Sequence, residues 1–151
     1  MSEALELEII EGPETGKRFA VLAGTYRVLG RAGDDVQFTV QMTMDGDRLL
    51  DAQQEELVET LFRKRGSRGL RTRFRKRGAD ILVHDESVSR THALVFADPE
   101  GISVADLMST NGTTVNGQSV ADADIAYGDC IRIGRSTFKL RKTDGQSGLS
   151  G

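Results

Sequence analysis

The 151-residue sequence predicts an all-β fold, a sandwich or barrel rather than an α/β arrangement. Two observations carry that expectation. Short apolar segments recur at close spacing along most of the chain, separated by Gly and Asp turn signals. Where polar residues interleave the apolar ones they do so at every second position, the period of a half-buried strand.

At the N-terminus Leu5, Leu7 and Ile9 alternate with Glu6 and Glu8, and Gly12, Pro13 and Gly16 then mark a turn before a second strand over 19–22. After Gly24 an apolar run over 26–29 ends at Gly30 and Arg31. A glycine there lets the backbone bend and leaves Arg31 at a strand end. The rhythm resumes with segments over 81–83, 92–97, 102–107 and 113–115, at Ile125, and over 130–133 and 138–140. The polar, Gly/Ser-rich residues 143–151 read as a disordered tail.

Residues 32–79 follow a different pattern. Val36, Phe38, Val40, Met42 and Met44 alternate with polar residues and predict a strand that stops at the Asp45-Gly46 turn. Leu49, Leu50, Leu57, Val58, Leu61 and Phe62 recur at helical spacing. Asp47 and Asp51 stand near the start, 63–65 is basic, and Gly66 lies just beyond, as the helix dipole and C-terminal cap favour. Leu70, Thr72, Phe74 and Lys76 alternate with Arg71, Arg73, Arg75 and Arg77, which places four arginines on one face of a further strand. The segment therefore predicts a strand-helix-strand excursion.

Length, 38% apolar and 28% charged content, and the lack of a long apolar run predict one globular domain over 1–142 without a membrane span. The first residues carry Glu3, Glu6 and Glu8 instead of a basic cluster and apolar stretch, so a secretory signal is not expected and a cytoplasmic location is. Cys130 is the only cysteine, cannot form an internal disulfide, and is expected in the core. The formal net charge of −3 hides a division: nine of the twenty Lys and Arg residues fall between Arg63 and Arg77 with no acid among them. The rest of the chain holds 11 basic and 23 acidic residues, a formal −12. Such asymmetry predicts that the basic segment meets an anionic surface, either this protein's own acidic body, an acidic protein partner or nucleic acid.

Four groups have chemistry suited to holding a phosphate and a peptide backbone together: Gly30 with Arg31; Ser89, Arg90 and His92; Thr110, Asn111 and Gly112; and Asn116 with Gly117. In their settings "GR", "SVSRTHA", "DLMSTNGTTVNG" and "YGDCIRIG" this sequence resembles the forkhead-associated (FHA) domain family, in the family's order and over residues 5–31 and 80–141. The resemblance implies a β-sandwich of about eleven strands whose loops at one end bind phosphothreonine. It implies that Arg31 pairs with the phosphate, that Ser89 donates its hydroxyl to it, and that Arg90 and Thr110 line the pocket. A guanidinium fork suits an oxyanion of about two negative charges. Asn111 is implied to bond the peptide main chain, with donor and acceptor on one amide. The resemblance also implies that His92 braces the loop that presents the serine, while Gly112, Asn116 and Gly117 are expected to serve turn geometry. The partner implied is a phosphothreonine protein made by a Ser/Thr kinase, with threonine preferred to serine through a small apolar niche. Asp85 and Glu86 are expected to repel acidic peptide positions.

The family usually passes from the Gly-Arg pair to the next strand through a short loop, whereas here 48 residues intervene. That insertion reads as a second interface, with Leu57, Val58, Leu61 and Phe62 packing its helix on its own strands or on another chain. A phosphate-independent scaffold of the same fold stays open as an alternative. Catalysis has little to stand on: Ser89 and His92, three apart along a strand, would point to opposite faces, and neither zinc spacing nor a phosphate-binding Lys-Ser/Thr loop occurs. No cofactor or metal is expected.

Overall fold

A computed structural model describes residues 4–22, 24–32, 50–65, 76–98 and 101–142. Among these residues the chain forms twelve strands and one helix: β1 (Ala4–Glu11), β2 (Arg18–Leu22), β3 (Thr25–Arg31), α1 (Ala52–Arg65), β4 (Lys76–Arg77), β5 (Ile81–Val83), β6 (Ala93–Asp98), β7 (Gly101–Asp106), β8 (Thr113–Val115), β9 (Gln118–Ser119), β10 (Asp122–Ile125), β11 (Cys130–Ile133) and β12 (Ser136–Lys142). The strand expected over 36–44, most of that expected over 70–77, and the tail over 143–151 lie outside the described residues.

The strands make two sheets. One runs β2-β1-β12-β11-β8-β9; the other runs β10-β7-β6-β3-β4, with β5 also paired to β3. The N- and C-terminal strands lie side by side, Leu7 opposite Leu140 and Ile9 opposite Phe138. Alternation sends Leu5, Leu7 and Ile9 inward to meet Leu29, Ile81, Val83, Val95, Val104, Ile131, Ile133, Phe138 and Leu140 in one core between the sheets. Burying each such side chain contributes about 1.5–3 kcal/mol before ordering costs. The period of two also corrects one expectation. Because Ile131 and Ile133 point inward, Cys130 falls on the other face of β11 and is only half-buried.

The second sheet is covered on its outer face as well. There α1 presents Val58 and Leu61 to Val28, Leu94, Phe96, Ala105 and Leu107, with Tyr26, Leu50, Leu57 and Phe62 at the margin. The Phe62 ring meets Tyr26 and Phe96 edge-on, each at 5.2 Å between centroids. β6 therefore reads as the continuous apolar run 93–97, since its odd residues fill the inner core and its even ones the helix interface. The helix, expected on the insertion's own strands or on another chain, packs instead on the sandwich sheet.

Helix α1 starts with a reciprocal cap. The Asp51 carboxylate accepts the Gln54 N–H at 2.8 Å, and the Gln54 side-chain oxygen accepts the Asp51 N–H at 3.0 Å. At the far end of the insertion Lys76–Arg77 pairs in parallel with Thr25 and Tyr26 of β3, and Arg77 forms a 2.8 Å ion pair with Asp80, both largely shielded from water. That arginine of the basic segment is thus engaged within the chain. No helix among the described residues is long and apolar enough to cross a membrane.

Candidate functional site

Strand β3 delivers Arg31 to one end of the sandwich. The Arg31 N–H donates to the Ser89 carbonyl at 3.1 Å, so the end of β3 and the 84–92 loop touch backbone to backbone. Gly30 makes that contact possible, but not by bending the chain. Its φ is ordinary, and it is needed because a β-carbon there would lie 1.9 Å from the Arg90 carbonyl oxygen. Arg31 is half-buried and Arg90 exposed.

Asp85 shapes the 84–92 loop from inside. Its carboxylate accepts the Ser87 N–H at 2.9 Å, the Arg135 N–H at 2.9 Å and the Ser136 hydroxyl at 2.7 Å. Burial acts to raise its pKa, yet these bonds from Ser136, Ser87 and Arg135 outweigh burial and hold the carboxyl below its usual 3.8. Only 4% exposed, Asp85 cannot screen peptide residues, which corrects the expectation that it repels acidic positions; Glu86 beside it is exposed. The neighbouring 12–17 turn is tied to the same loop. Glu14 accepts both the backbone N–H of His84 at 3.0 Å and its Nδ1, and hydrogen bonds from Lys17 and His84 hold the carboxyl down to about 2.

The 107–112 loop has its own carboxylate at its base. Asp106 accepts the Ser109 N–H and hydroxyl and the Thr113 hydroxyl, and Ser109 Oγ in turn accepts the Gly112 N–H at 2.9 Å. Gly112 has φ 84°, a left-handed conformation that glycine adopts without steric cost. Two bonds join this loop to the first: the Thr110 N–H donates to Ser89 Oγ at 3.1 Å, and Asn111 Nδ2 donates to the Ser87 carbonyl at 2.8 Å.

His92 is the buried link between the loops, with no exposed surface. Its Nδ1 accepts the Ser89 N–H at 2.9 Å, which requires the neutral ring to carry its proton on Nε2 and donate it to the Gly112 carbonyl at 2.8 Å. Residues 89–92 form a loop rather than a strand, so the ring turns back toward Ser89 instead of facing away as expected. Both ring nitrogens are nevertheless occupied by backbone groups, and neither reaches for the serine proton. Burial lowers the His92 pKa below its usual 6.5, against the opposing effect of the Gly112 bond. Between the unfolded value and the lower folded one, the unfolded chain binds more protons, so stability is full above 6.5 and lost as pH falls through the folded value. NMR titration of the His92 ring should place its midpoint below that of a free histidine. Unfolding free energy should fall on acidification from neutral pH to about pH 5, and less so in His92→Asn.

Arg31, Ser89, Arg90, Thr110, Asn111, Gly112 and His92 are thus gathered at one end of the sandwich. Asn116 and Gly117 stand further along, at φ 51° and 87° in the two-residue turn between β8 and β9, where Asn116 Oδ1 accepts the Cys130 N–H at 2.9 Å. A groove of about 860 Å³ connects the two places, running from Ser87 and Asn111 past Asn116 to Arg132 and Arg135. Sequence reasoning missed Asp106, Ser109 and Thr113, whose signal was a cluster of short polar residues around a turn. It also missed Gly134, where φ 59° and a β-carbon 2.8 Å from Val88 both demand glycine. Among the described residues no three His, Cys, Asp or Glu side chains are placed to hold a metal ion.

Fold and site together define a two-sheet β-sandwich with polar loops joined at one end. Residues 71–134 match the sequence model of the FHA domain. The chain is 42% identical over 67 residues to the FHA domain-containing protein FhaA of Mycobacterium tuberculosis, covering 44% of this chain and 13% of that protein. It is 40% identical over 62 residues to the glycogen accumulation regulator GarA of the same organism, covering 41% of this chain and 37% of that protein. The chain therefore corresponds to a minor part of each relative. Among solved structures, the FhaA FHA domain complexed with the intracellular domain of Rv3910 superposes with a TM-score of 0.55 at 24% identity, over 91% of this chain and 99% of that one. The FHA domain of the CT664 protein from Chlamydia trachomatis superposes with a TM-score of 0.58 at 19% identity, over 93% and 98%. Residues 71–134 thus carry the FHA match, and the fold of the described residues is that of FHA domains.

Proposed function

We propose that this protein is a phosphothreonine-dependent interaction module that binds phosphorylated proteins, the products of a Ser/Thr kinase, through the loop end of the sandwich. The observation that carries the reading is the adjacency of Arg31, at the end of β3, to Ser89, Arg90 and Thr110 on two loops locked together by neutral His92. Ser89 Oγ already accepts the Thr110 N–H, which leaves its own proton to donate to a phosphate oxygen. Arg31 supplies the charge-assisted bond, with Arg90 and Thr110 beside it. Asn111 spends one amide hydrogen on Ser87 and keeps the other, with its oxygen, for a peptide main chain. The groove toward Arg132 and Arg135 then takes the peptide beyond the phosphothreonine and favours acidic residues there.

We read the module as acting by binding rather than catalysis, since both ring nitrogens of His92, the histidine beside Ser89, are engaged by backbone groups. We read residues 1–142 as one domain with 32–79 inserted, because α1 packs on the sandwich itself. A related FhaA structure is described as a complex with a protein's intracellular domain, and another related structure concerns phosphothreonine-dependent FHA domain interactions; both are consistent with this reading.

Fluorescence anisotropy against a degenerate library of paired phosphothreonine, phosphoserine and unmodified peptides tests it. Binding is expected for phosphothreonine peptides alone, weakened about fivefold or more by Ser89→Ala through loss of one hydrogen bond to a charged group. Equal binding of the unmodified peptides would favour a phosphate-independent scaffold, and no binding by the folded protein would sink the phosphothreonine reading.

A further inference from the structure

Among the described residues of the 48-residue insertion, one polar side chain, Gln54, bonds to the loop end of the sandwich. Gln54, in the first turn of α1, is 8% exposed, and its carboxamide makes three bonds. Its oxygen accepts the Asp51 N–H and closes the helix cap, while Nε2 donates to Thr91 Oγ1 and to the Leu107 carbonyl, both at 2.9 Å. Both amide hydrogens are therefore spent on residues outside the helix. Thr91 lies between Arg90 and His92 in the first loop, and Leu107 opens the loop that carries Thr110 and Asn111. The two loops are already joined there by the Leu107 N–H, which donates to the His92 carbonyl at 2.8 Å. Gln54 bridges the same junction from outside, and the helix that carries it is held on the sheet by Val58, Leu61 and Phe62.

A capping glutamine needs only its oxygen for the cap, so its two donor bonds serve something else. Their effect is to fix the separation of the two loops at their roots, from an element inserted between Arg31 and the rest of the site. We propose that Gln54 is a positioning residue for phosphopeptide recognition, through which helix α1 holds the Ser89-Arg90 loop and the Thr110-Asn111 loop at their binding separation. The inference rests on the proposed phosphothreonine function and adds to it the residue by which the insertion acts on that site.

Two variants of the full chain separate positioning from helix stability. Gln54→Met keeps the apolar bulk and removes all three bonds; Asp51→Ala weakens the cap but leaves both donors of Gln54 in place. Affinity for the best phosphothreonine peptide is expected to fall about five- to tenfold in Gln54→Met, and to stay within about twofold of wild type in Asp51→Ala, as two lost hydrogen bonds of ordinary net strength dictate. Amide hydrogen exchange at Ser89, Thr91 and Thr110 should accelerate in Gln54→Met alone. Wild-type affinity in Gln54→Met, or an equal loss in both variants, would overturn the proposal. Should Gln54→Met fail to fold, Thr91→Val decides, since it removes one acceptor from the loop: reduced affinity supports the proposal and wild-type affinity overturns it. If the wild-type protein binds no phosphopeptide, the phosphothreonine reading fails and positioning for recognition fails with it. Amide exchange, which needs no ligand, would still report whether Gln54 holds the loops.

Discussion

Arg31→Ala is expected to weaken phosphothreonine-peptide binding about tenfold or more, since a hydrogen bond between charged groups contributes roughly 1.5–3 kcal/mol. Arg31 sits at the end of β3 beside the serine of the facing loop, its N–H on the Ser89 carbonyl at 3.1 Å. That backbone bond does not depend on the side chain, so truncation should remove the guanidinium while leaving strand and loop in register. Arg31→Lys should recover part of the affinity, because an ammonium retains the charge without the planar fork that matches a phosphate. Titration calorimetry with one phosphothreonine peptide reads both variants, and thermal midpoints near wild type would exclude unfolding as the cause. Unchanged affinity in Arg31→Ala would remove this arginine from the site.

Gly30→Ala is expected to be the most damaging glycine-to-alanine substitution among the described residues. A β-carbon at position 30 would lie 1.9 Å from the Arg90 carbonyl oxygen and 2.9 Å from its carbon. No rotamer relieves this, since both partners are backbone; either β3 or the 84–92 loop must move. β3 is held by β6 on one edge and by β4 and β5 on the other, so the loop should yield and carry Ser89 and Arg90 with it. The cost should be about 2–3 kcal/mol, in the range of overpacked interiors. Urea unfolding measures that cost, and peptide affinity should fall in parallel. A loss below about 0.5 kcal/mol, typical of an unconstrained surface position, would mean that the two backbones are not in obligatory contact.

Much of this architecture was legible in the sequence because alternation is a local property. Leu5, Leu7 and Ile9, or Ile131 and Ile133, declare their faces without any partner, and the helix declares itself by the spacing of Leu57, Val58, Leu61 and Phe62. Cys130 was misplaced when its neighbourhood was read as one apolar run, although the same alternation assigns it outward. Asp85 was misjudged for a different reason. A loop carboxylate looks solvent-facing until Arg135 and Ser136, fifty residues on, supply the donors that allow it to be buried.

The sequence by itself determined the strand rhythm, the glycine and asparagine turns, the helix, and the set of polar residues suited to a phosphate and a peptide backbone, because each depends on neighbours within a few positions. Tertiary structure alone decided why Gly30 must be glycine, which proton His92 carries, and that the inserted helix lies on the sandwich with Gln54 bonded to both loops. Each of those features depends on a contact between distant segments, such as Gln54 with Leu107, 53 residues on, or His92 with Gly112, 20 residues on. Close packing and the cost of an unpaired buried polar group enforce them, and neither acts until the sheets have brought the segments together.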